Sequence, residues 1–219
     1  MLTVQTFVNY PVTSNCYILY DKEKSNECVV VDPGSKSEDK LFEFIEQEVL
    51  HPTHIILTHE HFDHCWGVNQ LVEQYHIPIV CSELCAEAIK NVKRNCSVFY
   101  DNKEAFTINS ETLSVELLSH VMKFNDNPIR FFLTPGHTEA SISFVIGGYL
   151  FTGDTLIKDE RTVTKLPTGS TERLKESLEL YEQMKGNGLM VCPGHGEMFE
   201  LDGYDLQIML DAKHNAVTI

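Results

Sequence analysis

Within six residues, His59, His61, Asp63 and His64 place three imidazoles and a carboxylate directly after the apolar run Ile55-Ile56-Leu57. Neutral imidazole and carboxylate together suit zinc, iron(II) or manganese. An apolar run that gives way to such a cluster marks a strand that leaves the core and enters a loop. In an extended segment the side chains at i and i+2 point the same way, so His59 and His61 can grip one ion together. The chain then turns at Phe62. Asp63 and His64 open the next segment and face a second point in space, where a second ion could sit. Four adjacent ligands do not satisfy two metals. Three later loops each offer one candidate: His137 after Pro135-Gly136, Asp154 after Gly153, and His195 after Pro193-Gly194.

These loops must hang on strands. Thr3 to Val8, Cys16 to Tyr20 and Cys28 to Val31 read as strands, the last buried on both faces because its apolar run is unbroken. Asp32-Pro33-Gly34 ends it as a turn. Leu41, Phe42, Phe44, Ile45 and Val49 recur at helical spacing, so 38–49 is expected to be an amphipathic helix. A strand at 54–58 delivers the ligand cluster, and Trp66, Val68, Leu71, Val72 and Tyr75 continue it as a helix. A strand at 77–80, a helix at 83–91 and a polar loop to 103 follow. Leu113 to Leu118, Ile129 to Thr134, and the pair Ser141 to Ile146 and Tyr149 to Thr152 read as strands, the pair joined by a Gly147-Gly148 hairpin. Helices are expected at 174–184 and 202–213, with a short strand at 189–192 between them. Strands come in turn-linked pairs rather than one per helix, which predicts mixed sheets covered by helices rather than a doubly wound parallel sheet. No linker or low-complexity tract divides residues 1–219, so one domain is expected.

The 219 residues are 42% hydrophobic and 22% charged, ordinary for a globular chain with a substantial core. A formal net charge of −15 argues against a nucleic-acid surface, and no apolar run is long enough to span a bilayer. The first residues lack the basic and apolar regions of a secretory signal, and the seven cysteines show no regular spacing. A cytoplasmic protein with reduced thiols is expected, free of nucleic-acid or membrane partners.

Thr58-His59-Glu60-His61-Phe62-Asp63-His64, Pro135-Gly136-His137-Thr138, Thr152-Gly153-Asp154-Thr155 and Pro193-Gly194-His195-Gly196 together resemble the metallo-β-lactamase superfamily, and within it the glyoxalase II-like (hydroxyacylglutathione hydrolase-like) branch. The similarity covers nearly the whole chain, including Asn15-Cys16-Tyr17 and Asp32-Pro33-Gly34. It implies an α/β (α+β) fold, a four-layer αββα sandwich of two mixed sheets, with metals at one edge in the strand-end loops. It also implies that His59, His61 and His137 hold one divalent ion, that Asp63, His64 and His195 hold another, and that Asp154 bridges both together with a hydroxide. Zinc is the first expectation for the two ions, with iron or manganese as alternatives. The implied reaction is hydrolysis of a small-molecule thioester or ester by the metal-bridging hydroxide, which Asp63 could orient as a catalytic residue.

Each residue also has an ordinary role. Asp63 could cap a helix, a glycine beside Asp154 suits any turn, and a strand-end histidine is usually a surface residue. Asp32 is either a turn aspartate or a partner that orients a ligand histidine. Cys65 and Cys192 are expected as buried thiols, and Cys81 and Cys85 make no motif by themselves. His51, His54, His76, His120 and His214 are expected as surface or packing residues. Glyoxalase II adds a C-terminal helical region that contacts glutathione, for which the 24 residues after His195 are too few. Lys158, Arg161 and Lys165 could meet an anionic substrate or simply be solvated. Lactonases of the superfamily usually place a tyrosine where this chain has Ile157. A persulfide dioxygenase, with one iron on His59, His137 and Asp154, is the alternative enzyme, and a non-catalytic binding module is a third reading.

Overall fold

The computed structural model describes residues 1–118 and 122–207. The first sheet holds β1 (Thr3–Val8), β2 (Asn15–Tyr20), β3 (Glu27–Val31), β4 (His51–Ile56), β5 (Ile79–Cys81) and β6 (Thr112–Ser114), side by side in that order. β1 to β3 pair antiparallel, and β3 to β6 pair parallel. The helices α1 (Asp39–Gln47), α2 (Phe62–Cys65), α3 (Val68–Tyr75), α4 (Glu83–Ala88), α5 (Ser97–Tyr100) and α6 (Val115–Leu118) belong to this half. After a two-stranded ribbon of β7 (Lys123–Phe124) and β8 (Asn127–Pro128) comes the second sheet. It contains β9 (Arg130–Leu133), β10 (Ile142–Ile146), β11 (Tyr149–Gly153), β12 (Met190–Pro193) and β13 (Phe199–Glu200), in the order β13-β12-β11-β10-β9, with α7 (Thr171–Met184) beside it.

Side-chain alternation explains the layering. Along β2 and β3, Cys16, Ile18, Cys28 and Val30 face one core, with Leu41 and Ile45 of α1 and Val68 and Leu71 of α3. Their neighbours Tyr17, Leu19, Val29 and Val31 face the other way, toward Ile142, Phe144 and Phe151 of the second sheet. The second sheet sends Leu150 and Val191 outward onto Leu174, Leu178 and Tyr181 of α7. Three apolar interfaces therefore separate four layers, helix, sheet, sheet and helix, as the αββα expectation requires. Both faces of the central strands are buried, which is why their sequences read as unbroken apolar runs.

Several boundaries differ from the sequence expectation. The strand before the ligand cluster ends at Ile56 and begins at His51, because the parallel ladder to β3 admits Pro52 opposite Cys28 beside an irregularity in register. The helix expected from Trp66 begins at Val68 as α3, with Gly67 as its N-cap, and a separate four-residue helix, α2, precedes Trp66. The strand expected at 113–118 pairs with β5 only through Ser114, and Val115–Leu118 is a helical turn. The loop between 91 and 103 contains the short helix α5. The helix expected at 202–213 is absent over 202–207, and its remainder lies outside the described residues, as do His120 and His214. His51 and His76 are exposed and His54 is partly buried. All seven cysteines are unpaired and buried, as expected for Cys65 and Cys192.

Candidate metal centre

The ligand loop leaves the first sheet where β4 stops pairing. His61 is the last extended residue (φ −62°, ψ 145°) before α2, so Asp63 lies inside the first turn of the helix rather than capping it. Three groups of ligand atoms come within 4.8 Å of one another: His59, His61 and His137; Asp63, His64 and His195; and Asp32, His59 and His64. Asp154 lies between the first two. Its Oδ1 is 3.3 Å from His64 Nε2, and its Oδ2 is 3.5 Å from His195 Nε2 and 3.6 Å from His137 Nε2. The seven residues singled out by sequence are thus brought together.

The far nitrogen of each ring settles which nitrogen faces the centre. Asp32 Oδ2 accepts from His64 Nδ1 at 3.1 Å, the Val163 carbonyl from His137 Nδ1 at 2.8 Å, and the Thr13 carbonyl from His195 Nδ1 at 3.0 Å. These oxygens can only accept, so Nδ1 is the donor in each case and Nε2 turns inward. His59 Nδ1 lies 3.1 Å from Thr58 Oγ1, which again leaves Nε2 inward. His61 is reversed: its Nδ1 is the inner atom, 2.9 Å from His137 Nε2. Asp32 is accordingly spent on orientation. It also accepts from the Thr58 backbone N–H at 2.8 Å and from Thr58 Oγ1 at 2.6 Å, so its cluster with His59 and His64 is a support rather than a third site.

The inner atoms fit a cation. His59 Nε2 is buried without a hydrogen-bond partner, and the buried His64 Nε2 and Asp154 Oδ1 have only each other, at 3.3 Å. Such atoms are costly unless something polar or charged occupies the space they share. Burial, reinforced by the neighbouring imidazoles, holds His59 well below the usual imidazole range and His61 at about 3, so these ligands are neutral. His195 behaves oppositely: burial disfavours its charge, but Asp154 and Asp63 outweigh this and raise it to about 10. The same balance holds His64 protonated well above its usual range. A cation drawn to these carboxylates competes with those protons.

Sequence reasoning missed several supports. Asn15 Nδ2 donates to the carbonyls of Pro193 (3.0 Å) and Gly196 (2.9 Å), and Tyr17 Oη donates to Pro193 O (2.6 Å), so β2 clamps the loop that carries His195. Glu60 does not join the ligands. Its Oε2 accepts from Thr138 Oγ1 at 2.9 Å and ties the ligand loop to the turn bearing His137. The clamp left a trace in Asn15-Cys16-Tyr17, and Glu60 stands in the cluster itself. The Thr13 and Val163 carbonyls leave no trace, since every residue has one. Gly194 is needed for close approach, because a Cβ there would stand 2.0 Å from Asp154 Oδ1.

Comparisons with known proteins agree with this fold. The family model described as the metallo-beta-lactamase superfamily matches residues 9–195. A hydroxyacylglutathione hydrolase of Pectobacterium atrosepticum is 26% identical over 189 residues, 84% of this chain. The match spans 64% of that relative's length, less than two thirds of it. Among solved structures, the BLEG-1 B3 metallo-beta-lactamase has a TM-score of 0.81 at 25% identity, covering 91% of this chain and 94% of its own. TTHA1623 in a di-iron-bound form has a TM-score of 0.72 at 26% identity, covering 90% and 95%.

Proposed function

We propose that this chain, which belongs to the metallo-beta-lactamase superfamily, is a dinuclear metallohydrolase that cleaves a thioester or ester. The observation that carries the reading is the pair of ligand sets with Asp154 between them. In it, His59, His61 and His137 would hold one divalent ion, Asp63, His64 and His195 the other, and Asp154 both. The buried inner atoms His59 Nε2, His64 Nε2 and Asp154 Oδ1 support it, as does the likeness to a hydroxyacylglutathione hydrolase. Zinc fits the donor set, and the di-iron-bound relative supports iron equally.

When bound, such a pair of ions supplies an acidified water near neutral pH and positive charge for a carbonyl oxygen. The chain's own residues do the rest. Asp32 and the Thr13 and Val163 carbonyls fix the imidazoles so that ligand lone pairs are aimed before substrate arrives. Asp63, whose Oδ2 lies 3.4 Å from His195 Nε2, would help hold one ion and orient a water bound there. No serine or cysteine nucleophile is required.

The test is elemental analysis of gently purified protein, paired with hydrolysis of S-lactoylglutathione and p-nitrophenyl esters. Two metals per chain with turnover of any of these substrates is the expected result. One iron per chain, no hydrolysis, and oxygen uptake with glutathione persulfide would overturn the reading in favour of a dioxygenase.

A further inference from the structure

Phe62 stands between two proposed ligands, His61 and Asp63, and its ring leads into an aromatic cluster that the hydrolytic chemistry does not use. Its centroid is 4.9 Å from Tyr100 and 5.5 Å from Trp66, and Trp66 stacks on Phe106 at 5.8 Å and 19°. Tyr100 is 42% exposed and its neighbour Phe99 is 67% exposed. Large aromatic surface left open beside a reactive centre needs a physical reason, because exposure of apolar area costs free energy that burial would recover.

The segment that carries Phe99 and Tyr100 is tied down on both sides of the centre. Arg94 Nη2 donates to Glu139 Oε1 at 2.9 Å, fastening one end to the turn that bears His137. Lys36 pairs with Glu104, fastening the other end to the turn after Gly34. That turn packs on the Asp63 backbone, since a Cβ on Gly34 would overlap the Asp63 carbonyl. These two cations are already neutralised by carboxylates, and Lys158 lies 3.8 Å from Glu197. Arg94, Lys36 and Lys158 each face a carboxylate, so none of these three is a bare cation for an anion, whereas Phe62, Trp66 and Tyr100 offer contact to apolar groups.

We propose that Phe62, Trp66 and Tyr100 form the wall of the substrate site, and that the group resting on it is an uncharged alkyl or aromatic part of the ester or thioester. This rests on the hydrolase reading and narrows it to apolar acyl substrates. Aromatic side chains supply large contact area with little conformational entropy to lose, and the two ion pairs hold the wall in register with the centre.

Trp66 is the single tryptophan of the chain, so its fluorescence reports on the wall independently of turnover. Octanoate is expected to change Trp66 emission saturably, reduced glutathione is expected to leave it unchanged, and Tyr100→Ala is expected to weaken octanoate binding about tenfold. With the metal-loaded enzyme, kcat/KM for p-nitrophenyl octanoate is expected to exceed that for p-nitrophenyl acetate, and Tyr100→Ala should lower that ratio about tenfold. Octanoate binding without cleavage of any ester would sink the hydrolase reading and leave the wall standing. Ester cleavage with no chain-length preference and no change in Trp66 emission would sink the wall and leave the hydrolase standing.

Discussion

Glu38 is a carboxyl buried where charge is poorly supported, and replacing it with glutamine should raise stability in a pH-dependent way. The side chain is 3% exposed, and Oε1 accepts one hydrogen bond, from the Ser35 N–H at 2.9 Å. Burial pushes the carboxyl from 4.5 up to about 8, against the Ser35 bond, with the charge of Asp39 adding to the rise. The folded state therefore holds this proton more tightly than the unfolded chain does. The stabilisation from protonating Glu38 is complete in acid and is lost as the pH climbs from about 4.5 to about 8. At about 1.4 kcal/mol per unit, the loss is under about 1 kcal/mol at pH 5 and about 3 kcal/mol at pH 7. Glu38→Gln keeps an oxygen for Ser35 and has no proton to lose. Its stability advantage over the parent should thus grow by about 2 kcal/mol over that interval. For a chain of this size each kcal/mol moves Tm by about 2–4 °C, so the gap in Tm should widen by about 4–8 °C. Thermal unfolding followed by circular dichroism at pH 5, 6, 7 and 8 measures it. Metal binding contributes equally to both proteins and drops out of the difference. Parallel pH profiles for the two proteins would refute the reasoning.

His61→Ala and Asp154→Ala should each abolish hydrolysis and lower bound metal per chain, with far-UV circular dichroism unchanged; full activity in either would show the site to be misassigned. Asp32→Ala removes the acceptor for Thr58 N, Thr58 Oγ1 and His64 Nδ1. It should weaken metal affinity about 10–100-fold in a chelator competition. Gly194→Ala sets a methyl group 2.0 Å from Asp154 Oδ1 and 2.8 Å from His64 Cε1. Metal content should fall nearly as far as in Asp154→Ala, whereas Gly203→Ala, with nothing within 4 Å of its Cβ position, should retain metal.

The candidate ligand set was legible because chemistry restricts it: few residue types bind a divalent ion, and four such residues crowd into 59–64. The sandwich was legible because β2 and β3 are apolar on both faces, a pattern that only a strand covered on each side tolerates. The start of α3 at Val68 was not, because the apolar spacing already begins at Trp66. The reason lies elsewhere in the chain: a Cβ at 67 would stand 2.2 Å from Glu38 Oε1. The helical turn at Val115–Leu118 was hidden in the same way. The apolar run from Leu113 to Leu118 suggests a strand, but among the described residues no pairing reaches past Ser114, and Glu116, Leu117 and Leu118 are good helix formers.

Strand polarity explains why residues so far apart in sequence meet at one edge. β3 and β4 run parallel, with Val31 opposite Ile56, so Asp32 emerges beside Thr58. β11 and β12 also run parallel, with Gly153 opposite Pro193, so Asp154 and His195 emerge together. β9 and β10 pair antiparallel with Leu133 opposite Ile142, and β10 in turn pairs antiparallel with β11. The turn carrying His137 therefore opens at the end of the sheet where β11 finishes. Two backbone hydrogen bonds then join the sheets at this edge, Ile142 N–H to Thr58 O at 2.8 Å and Asn15 N–H to Gly194 O at 2.6 Å. Each bond lies next to a ligand of a different sheet: Thr58 precedes His59, and Gly194 precedes His195. The spacing of the two ligand sets is thereby coupled to the seam between the sheets, and the centre is aligned by backbone whose hydrogen bonds form as the sandwich closes.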